Sequence, residues 1–181
     1  MRVLRSDIAE VLILEPRVFS DERGFFLESY NRRTFRDATG IDVEFVQDNH
    51  SRSAKNVLRG LHYQIRQPQG KLVRVTAGEI WDVAVDLRAS SPTFGKWVAF
   101  TLSAESKRMA WIPPGFAHGF LVTSGAGEVQ YKTTDYYAPE HDRTLLWNDP
   151  ALGIPWPLDG DPVLAEKDRR GAPLASADRY P

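Results

Sequence analysis

The sequence predicts an all-β fold, an antiparallel sandwich or closed barrel with a few short helices. Two observations carry that prediction. Apolar segments punctuated by Gly, Pro, Ser and Asn turns recur about every 8–12 residues through the middle of the chain, with no helical pattern between them. In the clearest of these, Ile80–Leu87, alternation is strict. Trp81, Val83, Val85 and Leu87 share one face, and Ile80, Asp82, Ala84 and Asp86 the other. Composition agrees, since 12 Pro, 13 Gly and 5 Trp suit short strands joined by many turns.

Taken in order, Val11–Leu14 reads as a strand closed by Pro16. Phe19–Gly24 reads as a polar turn, and Phe25–Tyr30 as the next strand. Asn31 can cap a helix over Arg32–Ala38 that Gly40 stops, the one substantial helix expected in the first two thirds. Val43–Val46 then leads into a polar run, Gln47–Ser51. Strands are expected at Lys71–Thr76, Ile80–Leu87, Trp97–Leu102, Met109–Ile112, His118–Thr123 and Glu128–Tyr136. The last third turns irregular and Pro-rich (Pro150, Pro155, Pro157, Pro162), with a short helix expected near Val163–Arg169. No repeat or linker divides the chain, so residues 1–181 are expected to form one domain.

Composition narrows the function classes. A formal net charge of −1 gives no general attraction to nucleic acid or anionic membrane. With 0 Cys, disulfides, thiolate metal sites and Cys nucleophiles are excluded. Apolar runs are too short to span a bilayer and the N-terminus lacks a signal-peptide layout, so a cytoplasmic enzyme or binding module is expected.

Two stretches concentrate chemistry. The first is Val57–Gln64, a short extended segment carrying Arg59, His62 and Gln64 among apolar residues. Simple alternation puts Arg59 with Leu61 and His62 with Gln64, unless Gly60 marks a bulge that resets the faces. The second is Ile112–Phe120, where Pro113, Pro114 and Gly115 form a rigid turn that presents His118 on an apolar strand. Its Pro-x-Gly-x-x-His pattern is similar to the second motif of the cupin superfamily, a jelly-roll barrel. The matching first motif is His62-Tyr63-Gln64 rather than the metal-binding His-x-His, and His50 and His141 have no ligand spacing to the others. A metal-free site without cofactor is therefore expected.

Two histidines on a barrel lining suit proton transfer near neutral pH. Asp82 and Asp168 are available as orienting carboxylates, one for each ring. Tyr131 and Tyr137 are possible proton donors, and Lys71 can stabilise an oxyanion. Arg23, Arg59 and Lys167 could converge on a diphosphate.

The ordered set of motifs gives a sharper reading. Phe19–Phe26, Gln47–Ser51, Leu58–Gln64, Gly70–Val75, Asp82–Arg88, Pro113–Phe120 and Glu166–Asp168 together resemble the dTDP-4-dehydrorhamnose 3,5-epimerase family over nearly the whole chain. These are metal-independent cupin enzymes of nucleotide-sugar biosynthesis. The resemblance implies His62 as base paired with Asp168, Tyr131 as the acid on the other face, and Lys71 beside the sugar 4-keto oxygen. It implies His118, supported by Asp82, as a second sugar contact. It also implies Arg23, Phe26, Glu28, Gln47, Asn49, Arg59 and Lys167 as substrate contacts, and Tyr137 as the platform for the thymine ring. Arg23 and Glu28 would reach a neighbouring subunit's site, hence a homodimer. Two departures stand out: Asp142 where many relatives carry Glu, and a tighter turn between His62 and Lys71. The implied substrate is a dTDP-4-dehydro-6-deoxyhexose. The narrower readings are a mono-epimerase acting at carbon 3 or carbon 5, or a non-catalytic sugar-nucleotide binder.

Overall fold

The computed structural model describes residues 1–181. In chain order the elements are β1 (Arg2–Arg5), β2 (Leu12–Glu15), β3 (Val18–Asp21), β4 (Gly24–Leu27), α1 (Arg32–Thr39), β5 (Gln47–Ala54), β6 (Leu58–Gln64) and β7 (Lys71–Ala77). There follow β8 (Glu79–Asp86), β9 (Trp97–Ser103), β10 (Met109–Ile112), β11 (Phe116–Val122), β12 (Ala126–Thr133), a 3-10 turn at Pro139–His141, β13 (Asp142–Thr144) and α2 (Glu166–Arg169). A six-stranded sheet in the order β1-β2-β10-β7-β12-β5 faces a five-stranded sheet in the order β13-β6-β11-β8-β9, and β3 and β4 form a separate hairpin. All strand pairs are antiparallel. This is the jelly-roll architecture expected, and it explains why strands follow one another without helical crossovers.

The alternation in β8 sorts its side chains into two cores. Ile80 and Ala84 pack between the sheets with Val73, Val75, Ile112, Phe120 and Val129. Val83, Val85 and Leu87 point the other way, against Leu121, Leu145 and Trp156. The Pro-rich C-terminal third thus covers the outer face of the five-stranded sheet. Trp156 sits edge-on to Trp81 at 5.2 Å, an arrangement that suits aromatic quadrupoles.

Helix α1 seals part of the opposite sheet. Asn31 accepts from the N–H groups of Arg33 and Thr34, and Gly40 closes the helix at φ 74°. Only Phe35 on this helix is buried, and it seats among Leu12, Leu14, Leu72, Met109 and Trp111. Burial of one such ring contributes about 1.5–3 kcal/mol, enough to dock a short helix.

Several boundaries differ from expectation. The polar turn at Phe19–Gly24 shrinks to Glu22-Arg23 inside the β3–β4 hairpin, because Gly24 takes φ 120° and Asp21 accepts from the Arg23 N–H. The strand that follows stops at Leu27 instead of Tyr30. The polar run at Gln47 is a full strand, β5, paired with β12 over eight residues. Asp48, His50 and Arg52 face outward and Gln47, Asn49, Ser51 and Ser53 inward, so no apolar alternation betrays it. The strand expected to reach Tyr136 ends at Thr133. The short strands β1 and β13 also carry no clear pattern of their own. No helix is long and apolar enough to cross a membrane.

Candidate active site

Between the sheets, at one end of the sandwich, lies a cavity of about 340 Å³ whose lining includes Asn49, Arg59, His62, Lys71, His118, Tyr131, Tyr137, Asp142, Lys167 and Asp168. Its construction begins at Gly60. Across β6 and β11, His62 pairs with His118 but Phe120 pairs with Arg59, so the register shifts by one residue at the glycine. The shift sends Leu58, Leu61 and Tyr63 outward into the C-terminal core. Arg59, His62 and Gln64 turn toward the cavity. Of the two alternations open at the sequence level, the reset one is adopted. Gly60 has φ 128°, and a Cβ there would lie 2.6 Å from the Cα of Gly119, so no other residue fits without movement.

Two histidine–carboxylate pairs stand side by side on this wall. His62 Nε2 lies 2.5 Å from Asp168 Oδ1, and His118 Nε2 lies 2.9 Å from Asp82 Oδ2. Asp82 reaches His118 diagonally across the β8–β11 ladder, while Asp168 arrives on α2 from the end of the chain. Both carboxylates are buried, at 0% and 1% exposure, which fixes each ring's orientation. With Nε2 donating to Asp168, His62 keeps the lone pair of Nδ1 free in its neutral form. Burial holds the His62 ring below its ordinary value of 6.5, although the Asp168 hydrogen bond opposes this. Burial raises Asp82, with His118 opposing the rise.

The other wall comes from the six-stranded sheet. Lys71 opens β7 and is buried, its Nζ donating to the backbone oxygen of His62 at 3.2 Å. Burial draws this amine down to about 8, against the pull of Asp142 and Asp82. Tyr131 on β12 sits opposite the His62 wall, paired in register with Asn49 on β5 and Val73 on β7. Burial raises its phenol, so it stays protonated through the neutral range, with Arg59 and Lys167 opposing the rise.

At the mouth, Asp142 accepts from Lys167 Nζ at 2.9 Å and from the Tyr137 hydroxyl at 3.4 Å. The shorter carboxylate thus ties the exposed tyrosine to the lysine. Arg59 is steadied by Ser53, whose Oγ accepts from Nε at 3.0 Å. Gln47 donates to Asn49 at 2.9 Å and accepts from the Tyr137 N–H at 3.0 Å.

Arg23, Phe26 and Glu28 are not brought to this cavity within the chain. Arg23 caps the β3–β4 turn with Asp21, Phe26 is 70% exposed, and Glu28 accepts from Asn31 and Thr34 at the start of α1. Sequence reading passed over Ser53, Gln64 and Gln69 as site residues. A glutamine inside an otherwise apolar strand was the available signal for Gln64. No group of three or more His, Cys, Asp or Glu side chains is arranged to hold a metal ion.

Comparison with known proteins agrees with this geometry. The family model described as dTDP-4-dehydrorhamnose 3,5-epimerase matches residues 5–176. The dTDP-4-dehydrorhamnose 3,5-epimerase of Pseudomonas aeruginosa is 64% identical over 181 residues, covering 100% of both chains. A crystal structure of the 3,5-epimerase RmlC from Legionella pneumophila, in complex with dTDP-4-keto-L-rhamnose, superposes with a TM-score of 0.96 at 50% identity, covering 99% of this chain and 98% of that one. The Bacillus anthracis dTDP-4-dehydrorhamnose 3,5-epimerase, with TDP and pyrophosphate bound, gives 0.90 at 45% identity over 94% of this chain and 98% of that one. A match spread over the whole barrel, both histidine motifs and the C-terminal α2 leaves one assignment: the chain belongs to the dTDP-4-dehydrorhamnose 3,5-epimerase family.

Proposed function

We propose that this chain is an isomerase that epimerises dTDP-4-dehydro-6-deoxy-D-glucose at carbons 3 and 5, giving dTDP-4-dehydro-L-rhamnose for rhamnose biosynthesis. The observation that carries the proposal is that the His62–Asp168 pair lines one cavity together with Tyr131 and Lys71, which come from the other sheet. Inversion needs a base on one face of a carbon and an acid on the other, and this arrangement supplies both.

The chemistry follows from the substrate's ketone. The 4-keto group acidifies the C–H bonds at carbons 3 and 5 and accepts the electron pair, so no cofactor is needed. His62 Nδ1 takes the proton from carbon and the C–H pair becomes an enolate. The Lys71 ammonium is the group suited to the charge that gathers on the enolate oxygen. Tyr131 then delivers its proton to the opposite face, leaving a phenolate. Solvent resets the imidazolium and the phenolate before the second carbon reacts.

Remote groups fit the nucleotide. Arg59, which has no carboxylate partner, and Lys167, which is paired with Asp142, are cations suited to a diphosphate, Asn49 offers an amide, and the exposed Tyr137 ring offers a face for thymine. The complexes of the Legionella and Bacillus relatives support this ligand class. Homodimerisation belongs to the same proposal. The β3–β4 hairpin exposes Phe19, Phe25 and Phe26 at 49%, 60% and 70%, an apolar surface suited to a second copy, and it would deliver Arg23, Phe26 and Glu28 to that copy's cavity. Residues 1–181 would act as one domain, in the cytoplasm.

Turnover in heavy water tests the reaction. Incubated with dTDP-4-dehydro-6-deoxy-α-D-glucose, the protein should place deuterium at carbons 3 and 5 with inversion at both, read by NMR. Incorporation with inversion at one carbon would make the chain a mono-epimerase, and none at either would overturn the catalytic reading.

The pH profile gives a second expected result. His62 acts as base when neutral, and its lowered value keeps it so down to below 6.5. Lys71 acts as a cation, which it loses as pH rises through about 8. The quantity kcat/KM should therefore hold level near neutrality and fall above about pH 8. In Lys71→Arg that basic limb should move upward out of range, because a guanidinium does not titrate there.

A further inference from the structure

Tyr137 lies in a stretch with no regular structure. Strand β12 ends at Thr133 and the next element begins at Pro139. No ladder holds residues 135–138, yet Tyr137, a residue 54% exposed, is placed there with its hydroxyl directed to Asp142. The peptide groups of this segment are held by side-chain amides from three other parts of the chain. Gln69 Nε2 donates to the Asp135 carbonyl at 2.9 Å. Gln64 Nε2 donates to the Tyr136 carbonyl at 3.2 Å, and Gln64 Oε1 accepts from the Ala138 N–H at 2.9 Å. Gln47 Oε1 accepts from the Tyr137 N–H at 3.0 Å. The second proton of Gln64 Nε2 goes to the Gln67 carbonyl at 2.8 Å, so a carboxamide only 3% exposed has its donors and its acceptor engaged.

We propose that Gln64 and Gln69, together with Gln47, form an amide clamp that positions the Tyr137 ring for the nucleotide base. Gln64 and Gln69 are positioning residues acting through Tyr137. The inference rests on the reading of Tyr137 as the base platform and deepens it by naming what makes the platform rigid. Gln64 is two residues beyond His62 on β6, so one strand carries the proposed base at one position and the anchor of the nucleotide platform at the next inward one. Without the clamp, the segment must be ordered when nucleotide binds, and that entropy loss comes out of affinity.

The probe is dTDP, titrated calorimetrically into wild type, Gln64→Leu, Tyr137→Ala and the double variant. Gln64→Leu should weaken dTDP about tenfold, and in turnover the loss should fall on KM rather than kcat. In the Tyr137→Ala background the same change should cost less than about twofold, since a residue acting through Tyr137 has nothing left to position. Gln69→Ala, which removes one hydrogen bond at a half-buried turn, repeats the cycle if Gln64→Leu fails to fold, with an expected loss of about threefold. Equal losses with and without the Tyr137 ring, or a fall in kcat at unchanged dTDP affinity, would overturn the clamp while leaving the platform intact. If Tyr137→Ala itself binds dTDP as well as wild type does, the platform reading fails, and the clamp with it.

Discussion

Replacing His62 by Asn is expected to lower turnover by about 10²–10⁴-fold, the usual contribution of a positioned general base, and to abolish deuterium uptake at both carbons. Asparagine keeps a short polar side chain on the strand and can still donate to Asp168, so the cavity stays filled and oriented. What it lacks is a basic lone pair. Under the proposed roles, in which the ring meets the sugar and Arg59, Lys167 and Tyr137 meet the nucleotide, binding of dTDP should change little. The loss should therefore appear in kcat. Asp168→Asn should fall in the same direction with a smaller loss, since the ring remains while its orientation and its imidazolium lose their support. The informative outcome is the pattern over the two carbons. If exchange persists at one carbon in His62→Asn, then His118 serves as the base there, and the single-base mechanism is wrong.

Tyr131→Phe should separate proton removal from inversion. The ring volume is kept, and only the hydroxyl that faces the His62 wall is removed. His62 can still form the enolate, and its captured proton can exchange with solvent before returning to the same face. Deuterium should then enter recovered substrate without change of configuration, while epimerised product falls by about 10²-fold or more, within the range a general acid supplies. Undiminished inversion in this variant would mean that the proton on the second face comes from elsewhere. The raised phenol value matters here, since a tyrosine that stays protonated through neutrality is a ready donor in every cycle.

Much of this was legible in the chain because its signals are local. Strict alternation in β8 announced two apolar faces, and both found a core. Asn31 and Gly40 marked the ends of α1 because a cap is a contact between near neighbours. The site was less legible because its pairs are distant. Asp168 is separated from His62 by 106 positions, and only the resemblance to a known family linked them. Strand β5 hid because it is polar on both faces, one toward solvent and one toward the cavity, so the hydrophobic periodicity that reveals strands was absent. The hairpin residues Arg23, Phe26 and Glu28 lie away from the cavity of their own chain, and folding of one chain offers nothing that would pull them in. Gln64 was marked as a polar residue on β6 but not as a site residue, and Gln69 was missed, because a side chain that grips backbone leaves no pattern that says what it holds.

The contact of Gly60 with Gly119 has a bearing on how such a site could be moved or redesigned. Each glycine allows the other's strand to approach where the β6 register shifts, and that shift turns His62 into the cavity beside His118, whose own strand keeps an unbroken register with β8. Arg59 through His62 and His118 through Phe120 are therefore a single unit of inheritance, although more than fifty residues separate them in the chain. A designer who grafted the Arg59–His62 segment alone onto another barrel, with no glycine opposite Gly60, would receive a strand in the wrong phase, with its arginine or its imidazole turned into the apolar layer outside. Only the two segments carried across together, glycine against glycine, would bring the chemistry with them.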